Sequence, residues 1–437
     1  MRILLVANDH VGSAMAGPGI RYAHLAEELA RRHEVTLTVP NEDAVEPPGV
    51  RVVAGVDPRD HERVAPLAAA ADAVVTQQLS ARTLLWLARR PVRKVYDLYV
   101  PLLTENLAWT HATGLADDRL AYRAAVDLQE LALLTANAVV CASDAQRDLW
   151  LGVAAARGRL GELAHAIEVV PFGLAAEPPA PGPPALRGAV SGIGAEDTVV
   201  LWAGGIWNWL DPETPIRAVA ALARDDVRLV FLGGRPPNPG VPEMEAAARA
   251  RALAAELGVL DRAVFFLDGW VPYAERARYL LEADVGISCH ADPVEARFSF
   301  RTRLLDHLWA GLPTVATEGD PLAELVRAEG VGRTVPVCDV AAWTRALAEL
   351  LDDAAARAAA REAAARVRPR FEWSRVAEPL LQLVEAPGAP VPVGGAALAA
   401  ARRHLAARAR LSVRRRRAGG RRAARGVGGS LRRLVTR

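Results

Sequence analysis

The sequence predicts an α/β protein with two Rossmann-like, doubly wound domains. Residues 1–39 contain a short apolar strand, a glycine-rich loop, an amphipathic helix and a second strand, in that order. Residues 198–234 repeat this order after a linker rich in proline and glycine. A strand, a crossover helix and a second strand form the repeating unit of a parallel sheet that helices cover on both faces. Two such repeats separated by a linker therefore indicate two domains of one class.

The N-terminal domain is predicted over residues 1–176. Its strands are expected at residues 1–7, 33–39, 51–54, 73–76, 94–97, 138–142 and 167–170. In the loop after the first strand, Gly17 and Gly19 would let a ligand approach the backbone, although a mobile loop without a ligand fits the same residues. Asp97 ends the fifth strand, at the edge where parallel sheets bind ligands. We predict that Asp97 contacts a ligand there, and the alternative is a helix or turn cap.

The C-terminal domain is predicted over residues 195–370, after a linker at residues 177–194. Its strands are expected at residues 198–203, 228–232, 264–266, 284–288 and 313–317. Ligands of such sheets bind beyond the carboxyl ends of the strands. The predicted ligand contacts after the first three of these strands are Gly204, Gly205, Asn208, Gly234, Arg235, Trp270, Val271 and Tyr273. For the aromatic residues, a corner packed beneath the domain is an equal alternative.

The fourth strand of this domain leads into a loop that contains Glu295 and Ser299, and then into a helix. Arg301 and Arg303 lie in the predicted first turn of that helix, where positive charge opposes the helix dipole. Arginine side chains at a helix N-terminus form a site for a phosphate or diphosphate. The alternative is a solvated helix start whose arginines pair with Glu295 or Asp306.

Composition indicates a globular protein of the reducing cytosol. Of the 437 residues, 51% are hydrophobic and 24% are charged, which is ordinary for a globular protein. Three scattered cysteines are too few for a disulfide framework or a metal cluster. The apolar run at residues 3–7 is too short for a signal peptide, and no run is long enough to span a bilayer. We therefore expect a cytoplasmic protein.

Five segments support a family resemblance: residues 17–21, 203–205, 231–234, 283–285 and 306–313. Together, and in this order, they resemble the GT-B glycosyltransferases of family 4, and the likeness extends over residues 1–385. The resemblance implies two Rossmann-like domains that face each other across a cleft. It also implies sugar transfer from a nucleotide diphosphate-sugar to an acceptor, usually with retention, with the donor on the C-terminal domain and the acceptor on the N-terminal domain.

The family's paired-glutamate motif is only half present. Asp306 stands five residues before Gly311, where the family has its second glutamate, so the resemblance implies that it holds the ribose hydroxyls. The first glutamate would fall at Phe298, and we expect Glu295 to substitute from the loop. Because that contact is altered, the donor could be a deoxy sugar. A non-catalytic sugar- or nucleotide-binding member of the same fold is the rival interpretation.

The family's basic pair is also missing, because no arginine or lysine lies between Gly204 and Pro215. The leaving diphosphate still needs positive groups, and the expected ones are Arg301, Arg303 and Arg235. Retaining chemistry in this family is described as a front-face displacement in which the donor phosphate helps to deprotonate the acceptor. The resemblance therefore requires no carboxylate pair.

The expected catalytic residues are Asp97, which would orient the acceptor, Glu295 and Arg301. Ser299 is placed with the donor contacts, and residues 270–273 are expected to line the pocket of the base. No Asp-x-Asp triplet occurs, so metal-dependent GT-A chemistry is not supported. We expect no metal and no cofactor, since the nucleotide-sugar is a substrate.

Residues 371–385 are predicted as a final helix that packs back on the body, followed by a basic tail at residues 386–437. No acidic residue follows Glu385, and fourteen arginines lie at residues 402–437. The net charge of the chain is +2, so residues 1–385 have a net charge of −12. The tail is expected to be helical at residues 398–417, with Leu405 and Leu411 as sparse apolar contacts.

Three interpretations of the tail remain open. It binds the anionic inner face of the cell membrane through residues 396–437, or nucleic acid nonspecifically, or it is disordered in solvent. A lipid-linked acceptor favours the first, and no specific nucleic acid is expected. The function predicted from the sequence is a retaining glycosyltransferase of cell-surface polysaccharide or glycolipid synthesis. A secondary-metabolite glycosyltransferase, which would not need the tail, is the alternative.

Overall fold

The structure is a computed structural model that describes residues 1–100, 102–104, 116–234, 244–291 and 293–434. The N-terminal domain contains strands β1 Arg2–Val6, β2 Glu34–Thr38, β3 Val50–Val53, β4 Ala73–Thr76, β5 Arg93–Asp97, β6 Ala138–Cys141 and β7 Ile167–Val169. Its helices are α1 Gly17–Ala30, α2 His61–Ala69, α3 Ala81–Ala88, α4 Ala116–Thr135, α5 Asp144–Ala156 and α6 Leu160–Leu163. The strands form one parallel sheet in the order β3-β2-β1-β4-β5-β6-β7.

The C-terminal domain repeats this arrangement. Its strands are β8 Thr198–Trp202, β9 Val227–Phe231, β10 Val264–Phe266, β11 Val285–Ser288, β12 Thr314–Thr317 and β13 Gly332–Val335. Its helices are α7 Glu213–Leu222, α8 Glu245–Glu256, α9 Arg276–Leu281, α10 Pro293–Arg297, α11 Thr302–Ala310, α12 Pro321–Glu329, α13 Val340–Asp352 and α14 Ala354–Val367. The parallel sheet has the order β10-β9-β8-β11-β12-β13. The prediction of two doubly wound domains is confirmed.

Two elements of the C-terminal domain differ from the prediction. The residues expected as an irregular loop before Arg301 include the short helix α10, so Glu295 lies on a helix. Strand β13 was not predicted, because Arg333 and Thr334 interrupt the apolar pattern at the edge of the sheet. Gly332 fits there because a Cβ atom would lie 1.8 Å from the carbonyl oxygen of Thr314.

The order of the strands determines where each sheet opens a crevice for a ligand. The strand order reverses between β1 and β4 in one sheet and between β8 and β11 in the other. Loops that leave the two flanking strands at such a point diverge and open a crevice. In the C-terminal domain, α11 begins at this crevice and ends at Gly311, which has the left-handed conformation (φ 63°) that the sequence predicted for a C-cap.

After the C-terminal domain the chain returns to the N-terminal domain. The segment expected as one final helix consists of a 3₁₀ turn, Arg368–Phe371, and two short helices, α15 Trp373–Val376 and α16 Glu378–Glu385. The amide of Trp373 donates to the carbonyl oxygen of Leu174, and Arg93 Nε donates to that of Leu383. The crossing segment therefore fastens the last helices to the N-terminal domain.

The basic tail forms helix α17, Gly395–Leu434, which packs along α4. Arg403 pairs with Asp127 at 2.7 Å and with Glu130 at 2.9 Å. Leu411 is buried, as predicted, but Leu405 is 57% exposed, so its predicted contact is wrong. Because α17 is anchored on α4, the interpretation of the tail as a disordered segment is wrong for its docked part. Among the described residues, no helix is both long enough and apolar enough to cross a membrane.

Candidate active site

Three cavities adjoin one another where the two sheets present the carboxyl ends of their strands. The interdomain cavity, of about 400 Å³, is lined by both domains and includes Asp97 and Arg301. The arginine cavity, of about 160 Å³, includes Gly205 and Arg303. The glycine cavity, of about 380 Å³, is lined by the C-terminal domain and includes Gly234. Shared lining residues make the three spaces one continuous site.

The arginine cavity brings together most of the predicted donor contacts. The predicted residues that line it are Gly17, Gly204, Gly205, Trp270, Val271, Tyr273, Arg303 and Asp306. They come from the loop after β1, the loop after β8, the segment before α9 and the first turns of α11. These residues are distant in sequence, and the facing of the two sheets makes them neighbours.

Arg303 is the least compensated charge in this cavity. Its side chain is 8% exposed, its guanidinium lies 4.4 Å from the ring centroid of Trp202, and Nη2 donates to the carbonyl oxygen of Gly205 at 2.9 Å. Among the described residues, Nη1 has no hydrogen-bond partner and no carboxylate lies within 4 Å. Burial, with the neighbouring charge of Arg301, lowers the pKa of Arg303 to about 9. A desolvated cation of this kind favours an anion beside it.

Arg301, in contrast, is already paired. Its guanidinium donates to the buried carboxylate of Glu295, and Nε lies 3.7 Å from Asp320. The Ser299 hydroxyl donates to the same Glu295 carboxylate. Glu295 and Ser299 line none of the three cavities, so the structure does not bring them to the cleft as the sequence analysis expected. Buried Asp320 has a pKa raised to about 6 by desolvation, against the effect of Arg301.

Asp306 faces the arginine cavity together with Arg276, which the sequence analysis did not select. Arg276 Nε donates to Asp306 Oδ1 at 3.1 Å. The Arg276 guanidinium lies 3.7 Å from the ring centroid of Tyr273 and 4.2 Å from that of Trp309. Burial raises the pKa of the Asp306 carboxyl, and Arg276 opposes that shift. Arg276 thus supplies a second cation to this cavity, although the basic pair of the family is absent from the loop after β8.

The aromatic segment before α9 joins the two domains. Trp270 Nε1 donates to the carbonyl oxygen of Met15 at 3.0 Å, and the amide of Tyr273 donates to that of Ser13 at 2.9 Å. The hydroxyl of Tyr273 lies 3.1 Å from His24 Nε2. The segment therefore lines the cavity and closes it against the loop that follows β1.

Among the remaining predicted contacts, Gly19 and Asn208 have structural roles. A Cβ atom on Gly19 would lie 1.9 Å from the carbonyl oxygen of His10, so Gly19 allows the loop to pack on α1. Asn208 lines none of the cavities, because its Oδ1 accepts from the amide of Ala246 in the first turn of α8. Gly234 lines the glycine cavity, where its amide donates to the carbonyl oxygen of Gly269. Arg235 lies outside the described residues.

Asp97 lies in the wall of the interdomain cavity but is held by Arg21. Nε and Nη2 of Arg21 donate to the two carboxylate oxygens at 2.7 and 3.0 Å, and both side chains are fully buried. Burial raises the pKa of the Asp97 carboxyl, and Arg21 opposes that shift. The carboxylate forms this ion pair and also accepts a hydrogen bond from the backbone of Tyr99, two residues on, so the turn-cap alternative holds beside the ion pair.

Apolar side chains dominate the interdomain cavity on the N-terminal side, where α3 and α4 contribute Leu84 and Leu128. Two side-chain oxygens in its wall, Asn8 Oδ1 and Gln129 Oε1, are buried without a hydrogen-bond partner among the described residues. On the opposite side stand Trp207 and Trp209, whose rings are parallel within 2° and 5.4 Å apart. Of these residues, Asn8, Trp207 and Trp209 lie in the loops after the first strand of each domain, which the sequence analysis had singled out.

Comparison with known proteins identifies the C-terminal half. Residues 197–353 match the family model described as "Glycosyl transferases group 1". The C-terminal domain is a group 1 glycosyltransferase domain. The match begins at β8 and ends after α13, so it contains Arg303, Asp306 and the glycine loops that line the arginine cavity.

Curated proteins similar to this chain carry related names. The D-inositol 3-phosphate glycosyltransferase of Thermobispora bispora is 32% identical over 224 residues, which are 49% of this chain and 50% of that enzyme. The phosphatidyl-myo-inositol mannosyltransferase of Mycobacterium leprae is 32% identical over 161 residues, 37% of this chain and 38% of that enzyme. The chain thus spans half or less of the length of these two relatives.

Solved structures match the whole fold. Sucrose-phosphate synthase from Thermosynechococcus elongatus superposes with a TM-score of 0.65 at 20% identity, over 87% of this chain and 98% of that chain. HepE from Anabaena, solved with UDP and glucose, gives 0.62 at 18% identity, over 87% and 98%. At these identities the likeness shows the fold, and the GT-B arrangement predicted from the sequence is confirmed.

Proposed function

We propose that this protein is a glycosyltransferase that moves a hexosyl or deoxyhexosyl group from a nucleotide diphosphate-sugar to a hydroxyl of an acceptor, with retention at the anomeric carbon. The group 1 domain and the inositol-phosphate and mannosyl transferases similar to it support the reaction class. Because the alignments to these relatives cover half of their length or less, the donor, the acceptor and the activity of the whole chain belong to this proposal.

Arg303 is the single observation on which the donor assignment rests. Its guanidinium is buried and stacked, and Nη1 lacks a partner among the described residues. The diphosphate of a donor would accept from Nη1 and would sit at the N-terminus of α11 and beside the amides of Gly204 and Gly205. As the glycosidic bond breaks, negative charge grows on the leaving diphosphate, and preorganised Arg303 stabilises that charge.

The other groups of the arginine cavity have complementary roles in this proposal. Arg276 supplies a second positive charge, and Asp306, held by Arg276, accepts from the ribose hydroxyls. Trp270, Val271 and Tyr273 border the base. Arg301 acts as a positioning residue, because its pairing with Glu295 fixes the backbone from which α11 begins. The acceptor proton passes to a donor phosphate oxygen, and no metal or cofactor takes part.

The membrane is the proposed second partner. The apolar residues Leu398, Leu405 and Val413 are exposed on α17, and steps of seven and eight residues place them on one face of a helix. Arginines flank them, a combination that suits the anionic inner surface of a cell membrane. We propose peripheral attachment of a cytoplasmic enzyme that works on cell-surface polysaccharide or glycolipid precursors.

Release of nucleoside diphosphate tests this function. The purified chain is incubated with UDP-, dTDP- and GDP-sugars, without acceptor, because an active donor site leaks some turnover to water. We expect release from one of these donors and at least a tenfold loss in the Arg303→Met variant. A chain that binds a nucleotide-sugar but releases no product with any donor, with or without alcohol acceptors, would instead be a non-catalytic member of the fold.

A further inference from the structure

We infer that the acceptor of this enzyme is an uncharged, hydroxylated molecule with an apolar body, and not a phosphorylated polyol. The inference rests on the proposed function, since it names the substrate class of the same site. The interdomain cavity is the place for the acceptor because it shares Gly17, Trp207 and Arg303 with the arginine cavity. A molecule bound there meets the sugar end of a donor.

The charge of the cavity wall excludes an anionic acceptor. Among the described residues of the N-terminal domain that line the cavity there is no arginine, lysine or histidine. Two carboxylates, Asp9 and Asp97, lie in that wall. The charge of Asp97 is balanced by Arg21. A phosphate group would lose its hydration there and would gain no cation in return.

The arginines of the opposite wall do not change this conclusion. Arg301 is neutralised by Glu295, and Arg303 is assigned to the diphosphate of the donor. A phosphorylated acceptor would therefore compete with the donor for Arg303. The relatives named D-inositol 3-phosphate glycosyltransferases are similar to this chain over only about half of their length, so their acceptor does not transfer to this cavity.

The lining of the cavity instead matches an alcohol with an apolar body. Leu79, Leu84, Leu102 and Leu128 supply aliphatic surface, and Trp207 and Trp209 supply aromatic faces.

Two buried acceptor atoms, Asn8 Oδ1 and Gln129 Oε1, lack donors among the described residues. The amide group of Gln129 is fixed by donation to the carbonyl oxygen of Val100 at 2.7 Å, so Oε1 cannot turn away. Hydroxyl groups would satisfy both oxygens, and a buried acceptor atom that stays unpaired carries a desolvation penalty.

Two substitutions on α4 give a matched test. Ala125 is half-buried and lines the cavity, whereas Ala121, one turn earlier, is exposed. Ala125→Trp fills the cavity, and Ala121→Trp adds the same side chain in solvent. Because Ala125 is only half-buried, we expect the Ala125→Trp variant to fold. Octyl glucoside and phenyl glucoside serve as aliphatic and aromatic probes, with myo-inositol and D-myo-inositol 3-phosphate as polar ones.

Binding by calorimetry, below the critical micelle concentration, and transfer with the active donor are both measured. We expect octyl or phenyl glucoside to bind and to react with a kcat/KM at least tenfold above that of myo-inositol. The preferred glucoside shows whether the apolar body of the acceptor is aliphatic or aromatic. Ala125→Trp should lose at least tenfold in binding and transfer, while Ala121→Trp should match wild type in both. Preference for inositol 3-phosphate, or no binding of either apolar probe, would overturn the inference, even if donor hydrolysis upholds the proposed function.

Discussion

Arg21 and Asp97 form a fully buried, bidentate ion pair between α1 and the end of β5. The Arg21 guanidinium also lies 4.9 Å from the ring centroid of Tyr99 and donates to the carbonyl oxygen of Pro171 at 3.0 Å. This arrangement fixes the wall of the interdomain cavity from three directions. Asp97 therefore shapes the N-terminal side of the cleft through Arg21.

Removal of one partner of this pair should destabilise the N-terminal domain. Asp97→Asn leaves the Arg21 charge buried without a counter-charge, and we expect a loss of about 3–5 kcal/mol in the free energy of unfolding. The double variant Arg21→Leu, Asp97→Leu should lose less than the sum of the single variants, because no charge remains buried. Urea unfolding measures all of them. Equal stability of Asp97→Asn and wild type would show that the pair is not structural.

Asp320 should make stability depend on pH between about 4 and 6. Burial raises its pKa to about 6 in the folded chain, whereas an unfolded aspartate titrates near 3.9. The folded state then binds more protons in this window, so the stabilising contribution is complete below about pH 4 and is lost as pH rises through about 6. Two pKa units correspond to about 3 kcal/mol.

The variant Asp320→Asn isolates this effect. Asp320 also caps α12 by accepting from the amides of Leu322 and Ala323, and asparagine keeps that cap. We expect the stability of the variant relative to wild type to rise by about 3 kcal/mol between pH 4 and pH 7. A difference that stays constant across this range would mean that Asp320 is not buried as a charged group.

Replacement of Gly286 in β11 by alanine should destabilise the protein. A Cβ atom there would lie 2.6 Å from Cε1 of the His307 ring, which is fully buried on α11. Gly286→Ala should therefore cost about 1–3 kcal/mol through overpacking. Gly152 is the matched control, because it is exposed on α5 with no atom within 4 Å of a Cβ. There, alanine should stabilise by about 0.5–1 kcal/mol. Thermal unfolding compares the two, and equal effects would refute this packing.

The tail should bind anionic vesicles through the exposed face of α17. Replacing Leu398, Leu405 and Val413 by glutamine removes the apolar residues and leaves the arginines. We expect at least tenfold weaker sedimentation with vesicles of phosphatidylcholine and phosphatidylglycerol. The control is Leu281→Gln, which is also exposed but lies on α9. Unchanged sedimentation of the triple variant would mean that the apolar residues do not contribute to vesicle binding. Sedimentation of the wild type with neutral vesicles would contradict an electrostatic contribution of the arginines.

The sequence was informative wherever local pattern decides the outcome. Within the described part of the chain, the alternation of apolar strands and glycine loops located twelve of the thirteen strands to within one or two residues, and Gly311 marked the end of α11. The sequence did not decide which side chains contact each other in the folded protein. The sequence offered a pairing of Arg301 with Glu295 only as an alternative, and the packing of α10 shows that the two residues pair.

Arg276 escaped prediction for the same reason. It follows the selected residues 270–273 but belongs to no motif, and its position between Tyr273 and Trp309 arises from the approach of α9 to α11. Gln129, likewise, is an ordinary residue of a long helix until α4 meets the cavity. Arg303 was selected from its place in the first turn of a helix, whereas its burial on Trp202 required the structure.

Calorimetric titration of UDP, GDP and dTDP into wild type and Arg303→Met tests the central claim, that Arg303 holds the donor diphosphate. Methionine keeps an apolar stem on Trp202, and the Gly205 carbonyl oxygen still accepts from Trp202 Nε1 at 3.3 Å, so the variant should unfold at the wild-type temperature or above. Arg327→Met, exposed on α12, is the control. We predict binding of one nucleotide by wild type and the control, and at least tenfold weaker binding by Arg303→Met. Equal affinity for that nucleotide in all three proteins would contradict the account.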